Sequence, residues 1–142
     1  MIEKRKFIEE KLNTLVKLML TSGVQPSELA DNIFLKDYKT IKFFKRNQMT
    51  VGELTFSEMI GNSLHDVLLR YYYDSSQRVI LIEEELFGES TIVWNRETKE
   101  IEIINEIVHL LKIYESDKIT NFLSSLPLEL SYKVKNQYGN VI

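Results

Sequence analysis

Two histidines and a dense run of carboxylates are the residues of this chain best suited to catalysis or metal binding. His65 and His109 are the only histidines, and the local sequence predicts a helix around each. His65 precedes Asp66, but adjacent residues on a helix do not face each other. Both histidines are therefore interpreted as structural or exposed side chains rather than as metal ligands or acid–base groups.

A second candidate for chemistry combines the acidic run 83–85 with Glu97-Thr98-Lys99. An acid followed by Glu-x-Lys resembles the core of metal-dependent nucleases, in which two carboxylates hold Mg²⁺ and a lysine assists the attacking water. That chemistry needs Glu and Lys within one strand, so that both side chains point into one cleft. Thr98 lies in a predicted hairpin turn, and we therefore interpret the segment as a solvated turn.

The chain contains no glycine-rich phosphate loop and no Gly-x-Ser-x-Gly nucleophile motif. It also contains no cysteine, which excludes disulfides, thiolate metal sites and cysteine nucleophiles. We therefore predict a protein that is not an enzyme and that uses no cofactor and no metal ion.

Composition predicts an ordinary soluble domain. The 142 residues are 44% hydrophobic and 27% charged, which suits a single domain spanning residues 1–142. No apolar run reaches the roughly 18–20 residues that cross a bilayer, and the N-terminus mixes acids into the region where a signal peptide would be apolar. With the absence of cysteine, this predicts a cytoplasmic protein with no membrane partner.

The N-terminal elements are predicted to be helical. Residues 2–22 place an apolar residue every three or four positions, and Gly23 follows as a left-handed terminator. Pro26 suits the first turn of a second helix, roughly 26–35. Two strands are predicted next, at 40–45 and 50–54.

The segment after these strands has the strongest helical pattern. Apolar residues recur at helical spacing from Phe56 to Tyr71, which predicts a helix that begins at Thr55 or Ser57. Three consecutive tyrosines, 71–73, end it, and they cannot all face a core because neighbours on a helix point in different directions. At least one phenol is therefore expected at the surface, where tyrosine is enriched in protein interfaces.

Residues 78–104 are predicted to form an antiparallel β-meander. Its first strand, 79–84, begins apolar on both faces, 91–95 forms the second, and 100–103 alternates Glu with Ile as the third. Asn105 is then expected to cap a helix. The predicted fold class is α+β: N-terminal helices, a central antiparallel meander flanked by helices, and a C-terminal strand suggested by alternation over 130–134.

Charge is spread unevenly along the chain. Residues 1–50 carry a net charge of +4, residues 51–106 carry −8, and residues 107–142 carry +1. Acidic rims steer basic partners, while buried aromatic residues supply affinity. This predicts a protein-binding module that uses the acidic surface of the meander. The candidate partner-binding residues are Glu83, Glu84, Glu85, Glu89, Trp94, Glu97, Glu100, Glu102, Tyr72 and Tyr73.

A small, cysteine-free, motif-poor α+β chain with such a surface is similar in general character to bacterial immunity proteins, which neutralise toxins. This similarity is one of type and assigns no residue. It implies an inhibitor whose protein partner is a basic, nuclease-type toxin domain, because such a domain must be positive to hold phosphate. Other inhibitors, phage-encoded anti-defence proteins and adaptor subunits share the same character, and the sequence leaves open whether the chain forms a homo-oligomer.

The alternative is a nucleic-acid-binding or regulatory protein that uses residues 36–46. This segment interleaves four lysines and an arginine with Tyr38, Phe43 and Phe44. Cations that track phosphate and rings that stack on bases are typical of single-stranded nucleic-acid sites. The interpretation without nucleic acid is an edge strand whose lysines discourage aggregation, and the net charge of −8 in the middle of the chain also disfavours a nucleic-acid partner.

Overall fold

The structure, a computed structural model, describes the backbone of residues 2–138 and the side chains of residues 5–134, and it has an α+β fold. The helices are α1 (Ile2–Leu20), α2 (Pro26–Asp31), α3 (Arg96–Tyr114), α4 (Ile119–Ser124) and α5 (Leu128–Tyr138). The strands are β1 (Tyr38–Arg46), β2 (Met49–Ile60), β3 (Ser63–Tyr73), β4 (Val79–Leu86) and β5 (Glu89–Asn95). Short 3₁₀ turns span Asn32–Phe34 and Ser116–Lys118.

The described residues divide into two units. The sheet unit is Thr21–Arg96, and the helical unit comprises the described residues before and after it. Each unit has its own cluster of buried apolar side chains. The expectation of a single domain over residues 1–142 stays a prediction.

The sheet unit is built on a meander in which each strand pairs with the next, in the order β1-β2-β3-β4-β5. Two-residue turns join β1 to β2 at 47–48, β2 to β3 at 61–62 and β4 to β5 at 87–88. Residues with positive φ occupy all three turns, which matches the right-handed twist of the strands they connect. The turns at 61–62 and 87–88 lie at the same end of the sheet, because alternate turns of a meander share an end.

Directly opposite residues in the sheet point to the same face, and successive residues alternate between faces. One face carries Leu54 of β2, Leu69 of β3 and Ile82 of β4. We call it the core face, because these side chains cluster with Leu29 of α2 and with Trp94. The other face carries Glu53, Arg70 and Glu83 at matching positions, and we call it the charged face.

Close packing explains the glycine at position 52. At Gly52 an added Cβ would lie 2.8 Å from Cε1 of Phe43 and 3.1 Å from Cδ1 of Leu29, so glycine lets α2 approach the core face.

Arg96 is buried and donates from Nε to the carbonyl of Val79 (2.7 Å) and from a terminal nitrogen to the carbonyl of Thr21 (2.8 Å). These bonds satisfy a buried charge with backbone acceptors and tie the two ends of the unit to β4.

The helical unit packs one apolar stripe from each of its helices. Ile8 and Leu15 of α1, seven residues apart, are buried with Ile104 and Leu111 of α3, which have the same spacing. Val134 of α5 joins the same cluster. None of the helices in the described part of the chain is both long and apolar enough to cross a membrane.

The prediction of a helix from 55 to 72 was wrong, because these residues form most of the β2–β3 hairpin. Their apolar spacing fits both periodicities, since Leu54, Phe56, Val67 and Leu69 also alternate along strands. Gly61-Asn62 decides between them: Gly61 has φ +64 and occupies a two-residue hairpin turn, between Ile60 and Ser63, which pair directly.

The predicted third strand of the meander, 100–103, was also wrong, and so was the expectation that Asn105 caps a helix. Both lie within α3, so the meander spans 38–95 instead of 78–104. Glu and Ile alternate over four residues only, whereas Ile101, Ile104, Val108 and Leu111 keep helical spacing over eleven. Glu97 lies in the first turn, where the helix dipole favours an acid.

The predicted C-terminal strand is a helix, α5. Leu130, Tyr132 and Val134 fit alternation, but Leu126, Leu130 and Val134 also recur every four residues. The helical spacing prevails because Leu126, Leu130 and Val134 are buried in the core of the helical unit while Tyr132 is exposed. The predicted elements at 2–22, 26–35, 40–45, 50–54, 79–84 and 91–95 are confirmed in type.

We expect Gly23→Ala to destabilise the sheet unit more than Gly61→Ala. Both glycines have positive φ (83° and 64°), so each alanine carries a strain of about 1 kcal/mol. Only at Gly23 would the new Cβ meet a neighbour, Cγ2 of Val79 at 3.0 Å, which adds about 1 kcal/mol of overpacking. Urea unfolding followed by the fluorescence of Trp94 measures both variants, and equal losses would contradict the packing explanation.

Candidate functional site

Arg70 is the centre of an ion cluster on the charged face. Its guanidinium donates to Glu53 of β2 (Nε–Oε2, 2.9 Å), to Glu83 of β4 (3.1 Å) and to Glu85 of β4 (2.9 Å). The arginine side chain is 17% exposed and that of Glu53 is 11% exposed. One cation is therefore shared by three carboxylates from the two neighbouring strands, in the geometry that suits the planar fork of arginine.

The cluster extends across the sheet to β1. The hydroxyl of Tyr72 donates to Oε1 of Glu83 (3.0 Å) and accepts a hydrogen bond from Arg46 (3.4 Å). Lys42 pairs with the other oxygen of Glu53 at 3.2 Å. Lys42 and Arg46 also lie over the ring of Phe44, at 5.8 and 5.3 Å from its centroid. The network thus links side chains of β1, β2, β3 and β4.

Burial and hydrogen bonding oppose each other in this cluster. Burial by itself raises the pKa of Glu53, but the hydrogen bonds from Arg70 and Lys42 outweigh it and hold that pKa below its ordinary value. Burial, with the hydrogen bond to Glu83, raises the pKa of Tyr72. Glu83 and Glu85 are paired with Arg70, so part of their charge is compensated within the sheet.

The other predicted partner-binding residues are dispersed. Trp94 is half-buried on the core face with Arg96 over its ring (5.3 Å), and Tyr73 is buried with its hydroxyl donating to the carbonyl of Val24 (2.8 Å). Burial raises the pKa of Tyr73 to about 12. The remaining three lie on α3 in the helical unit, where Glu97 pairs with Lys133, Glu100 is buried and Glu102 is exposed near Lys99.

Three carboxylates of β2, β4 and β5 have no ion pair or hydrogen bond among the described residues. Glu58 is exposed on β2 opposite His65, Glu84 lies on β4 opposite Thr91, and Glu89 is exposed at the start of β5. All three project to the core face, because their paired positions share that face. Glu84 and Glu89 were predicted from the sequence, and Glu58 was not.

An exposed aromatic residue lies in the turn between β4 and β5, at the same end of the sheet as Glu58 and Glu89. Phe87 is 66% exposed, and its ring meets that of His65 edge-on, with centroids 4.7 Å apart. We call Phe87, His65, Glu58, Glu84 and Glu89 the acidic tip. On the charged face of the same end, Met59 and Leu64 pair across the hairpin and are both exposed.

The charge of the acidic tip is nearly uniform. Residues 54–69 and 79–95 contain six Asp or Glu and no Lys or Arg, but Asp66, Glu83 and Glu85 are paired with cations from outside these segments. Lys39 of β1 reaches this end and pairs with Asp66 at 2.6 Å. The absence of Lys and Arg from these two segments is visible in the sequence. The segments are separate in the chain, however, and come together only because the two hairpins share an end of the sheet.

Phe87 has an unfavourable backbone conformation. It has φ +54 and precedes Gly88 with φ +77, in the two-residue turn between Leu86 and Glu89. Such turns favour Asn, Asp or Gly at the first position, because a bulky side chain with positive φ is strained. Backbone strain of this kind often accompanies binding sites.

The basic segment 36–46 is engaged within the sheet unit. Lys39 pairs with Asp66, Lys42 with Glu53, and Lys45 donates to the hydroxyl of Thr50 (2.7 Å). Two cations already occupy the ring of Phe44. These contacts leave fewer cations and one fewer ring for a nucleic acid, which disfavours the alternative interpretation.

Two of the segments considered for catalysis or metal binding lie on elements other than those predicted. Glu97-Thr98-Lys99 lies in the first turn of α3 instead of the predicted hairpin turn. His65 lies on β3 rather than on a helix, and His109 lies on α3. Within the described residues, no group of three or more His, Asp or Glu is arranged to hold a metal ion.

No protein-family model, no curated protein and no solved structure matches this chain.

We expect Arg70→Met to lower the free energy of unfolding at pH 7 by about 2–4 kcal/mol, because it leaves Glu53 largely buried without its main partner. Since the folded pKa of Glu53 lies below its ordinary value of 4.5, the stabilisation is present above that pH and is lost as the pH falls through the folded pKa. The difference between wild type and variant should therefore shrink below about pH 4.5. Urea titrations at pH 7 and pH 3 measure it.

Lys42→Met is the matched control, since Lys42 is 64% exposed and its ion pair contributes less than about 1 kcal/mol. A loss in Arg70→Met no larger than in this control, or one that is equal at both pH values, would contradict the central role of Arg70.

We expect Phe87→Asn to raise the free energy of unfolding by about 1 kcal/mol, because asparagine tolerates the positive φ of this turn. Phe34→Asn is the control, since Phe34 is 87% exposed but is not among the residues with positive φ. Urea midpoints report both changes. A destabilised Phe87→Asn would show that the contact with His65 outweighs the strain.

Proposed function

We propose that this chain is a non-enzymatic protein-binding module that docks a basic protein partner on the acidic tip. The observation that carries the proposal is a set of three unpaired carboxylates on the core face near the exposed Phe87: Glu58 lies opposite His65, which contacts the ring, and Glu84 and Glu89 flank the turn that contains Phe87. An apolar anchor inside a rim of one charge is the arrangement that gives both affinity and steering.

The electrostatic support for the proposal is that some carboxylates of the sheet are paired with a cation and others are not. Arg70 neutralises part of the charge of Glu83 and Glu85, whereas Glu58, Glu84 and Glu89 lack a cation. A basic partner gains most from the uncompensated carboxylates, because they require no internal ion pair to break. Attraction of this kind raises association rates and weakens as ionic strength rises.

The apolar support comes from three side chains at the same end of the sheet. Phe87, Leu64 and Met59 are each more than 60% exposed. The strain at Phe87 lowers the stability of the free chain, and burial of the ring in a partner is a gain that offsets it. Another exposed apolar segment, 33–35, lies beside β1, whose sequence carries four cations and no acid, so it lacks the acidic rim.

The partner class that best fits this chemistry is a basic nuclease-type toxin domain, with this chain as its inhibitor, in the manner of an immunity protein. Such a toxin domain carries a positive site for phosphate, which is complementary to the acidic tip. The cysteine-free composition supports action in a reducing compartment, the cytoplasm.

We expect a chain with Glu58, Glu84 and Glu89 all changed to Gln to lose at least tenfold in affinity for a partner captured from the source cells by the immobilised wild type. The matched control changes Glu9, Glu10 and Glu129, three exposed carboxylates of the helical unit, to Gln, with the same change in net charge. Affinities for the captured protein are measured by biolayer interferometry at low and high salt.

Phe87→Ser tests the anchor, with Phe34→Ser as the control for loss of an exposed aromatic ring. The proposal requires the acidic-tip variants to fail and both controls to bind. Wild-type affinity in the acidic-tip variants would refute it, as would retention of the chain by a single-stranded oligonucleotide with steep salt dependence instead of by a protein.

A further inference from the structure

Strand β5 is an edge of the sheet with an open outer side. It is last in the strand order and pairs with β4 alone among the described strands. Residues 89–93 are all exposed. An edge of this kind presents unpaired backbone N–H and C=O groups that can pair with another chain.

The two edges of the sheet differ in how strongly their side chains discourage pairing with another strand. The other edge, β1, carries Lys39, Lys42, Lys45 and Arg46 and no acid, a composition that discourages strand pairing. β5 reads ESTIVWN, with no lysine, no proline and a single acid at its start. Its exposed apolar pair, Ile92 and Val93, is unprotected. Strand addition is therefore favoured at β5 and disfavoured at β1.

The regular part of this edge is short. Ser90, Thr91 and Ile92 pair in register with Glu85, Glu84 and Glu83, but the next paired residues are Trp94 and Ile82, so Val93 bulges. A bulge interrupts the ladder locally. The segment available for regular pairing is therefore 89–92.

The two faces of this segment have different chemistry. On the core face, Glu89 is itself acidic and Thr91 lies opposite Glu84, so a small side chain separates the edge from an unpaired carboxylate. On the charged face, Ser90 is small and Ile92 is 60% exposed. Neighbouring strands lie about 4.8 Å apart, so a strand beyond β5 would be about 9.6 Å from β4, a distance that a Lys or Arg and Glu84 span together over Thr91.

We propose that an extended segment of the basic partner, with alternating basic and apolar residues, adds to β5 as a sixth strand. This inference rests on the proposed function and specifies how the partner binds. The basic residues lie on the core face beside Glu89 and Glu84, and the apolar residues lie on the charged face beside Ile92. Main-chain hydrogen bonds supply affinity, and the alternation supplies specificity.

A second copy of this chain fits the edge poorly. Its own β5 brings Glu89 and no cation, so it supplies nothing to neutralise Glu84 and Glu89. Its β1 carries cations on both faces rather than on alternate positions, with Lys42 and Lys45 pointing to opposite sides. A foreign strand with basic and apolar residues at alternate positions is the better complement.

The test uses capped eight-residue peptides and the full chain. One peptide alternates Lys with Val, and a block peptide of the same composition places all Lys before all Val. The alternating peptide should bind at least tenfold more tightly by calorimetry, since the block peptide puts half of its cations on the charged face. Glu84→Gln with Glu89→Gln, or Ile92→Ser, should each reduce that binding severalfold, whereas Glu9→Gln with Glu10→Gln should not.

Backbone pairing is tested by N-methylation of alternate amides in the peptide. In an added strand, every second N–H points to β5, so methylation in one phase should abolish binding and methylation in the other phase should leave it intact. Equal effects of the two phases would overturn strand addition while leaving docking on the acidic tip intact, provided the captured partner still depends on Glu58 and Phe87. Concentration-dependent dimerisation of the chain alone, lost in Ile92→Ser, would overturn it in favour of self-pairing.

Discussion

The sharing of Arg70 by three carboxylates is the interaction on which the sheet unit depends. Its guanidinium lies 2.9–3.1 Å from carboxylate oxygens of Glu53, Glu83 and Glu85, on the strands at either side of β3. Shifting any of these strands by one residue would move its carboxylates to the opposite face, so the cluster fixes the register of three strands together. It also compensates part of the charge of Glu83 and Glu85, whereas Glu58, Glu84 and Glu89 have no cation partner among the described residues.

The carboxylates without a cation partner lie toward the end of the sheet that contains the turns at 61–62 and 87–88. Glu58, Glu84 and Glu89 point to the core face, where Glu58 lies opposite His65 and Glu84 lies opposite Leu69, a member of the apolar cluster that contains Leu29 of α2. The same end adjoins β5, the edge that lysines do not protect. Acidity, apolar exposure and an open backbone edge therefore coincide in one region, and the proposed mode of binding follows from that coincidence.

The sequence predicted the α+β class, both N-terminal helices and the strands at 79–84 and 91–95. It failed where a segment satisfied two periodicities, as in 55–72, 100–103 and 130–134. In each case a feature outside the pattern decided: a glycine with positive φ at 61, a longer run of helical spacing through Leu111, and burial of Leu130 and Val134 with Leu126. Local patterns that short cannot distinguish strand from helix.

Composition and residue spacing alone establish the excess of carboxylates in the middle of the chain, the absence of cysteine and the absence of a phosphate loop or a Gly-x-Ser-x-Gly motif. Which of the carboxylates have a cation partner depends on the folded sheet. Glu83, Glu84 and Glu85 are consecutive, yet two of them face Arg70 and one faces away, because successive residues of a strand point to opposite faces. The edge-on contact of Phe87 with His65 likewise arises only when β3 and β4 pair in the folded sheet.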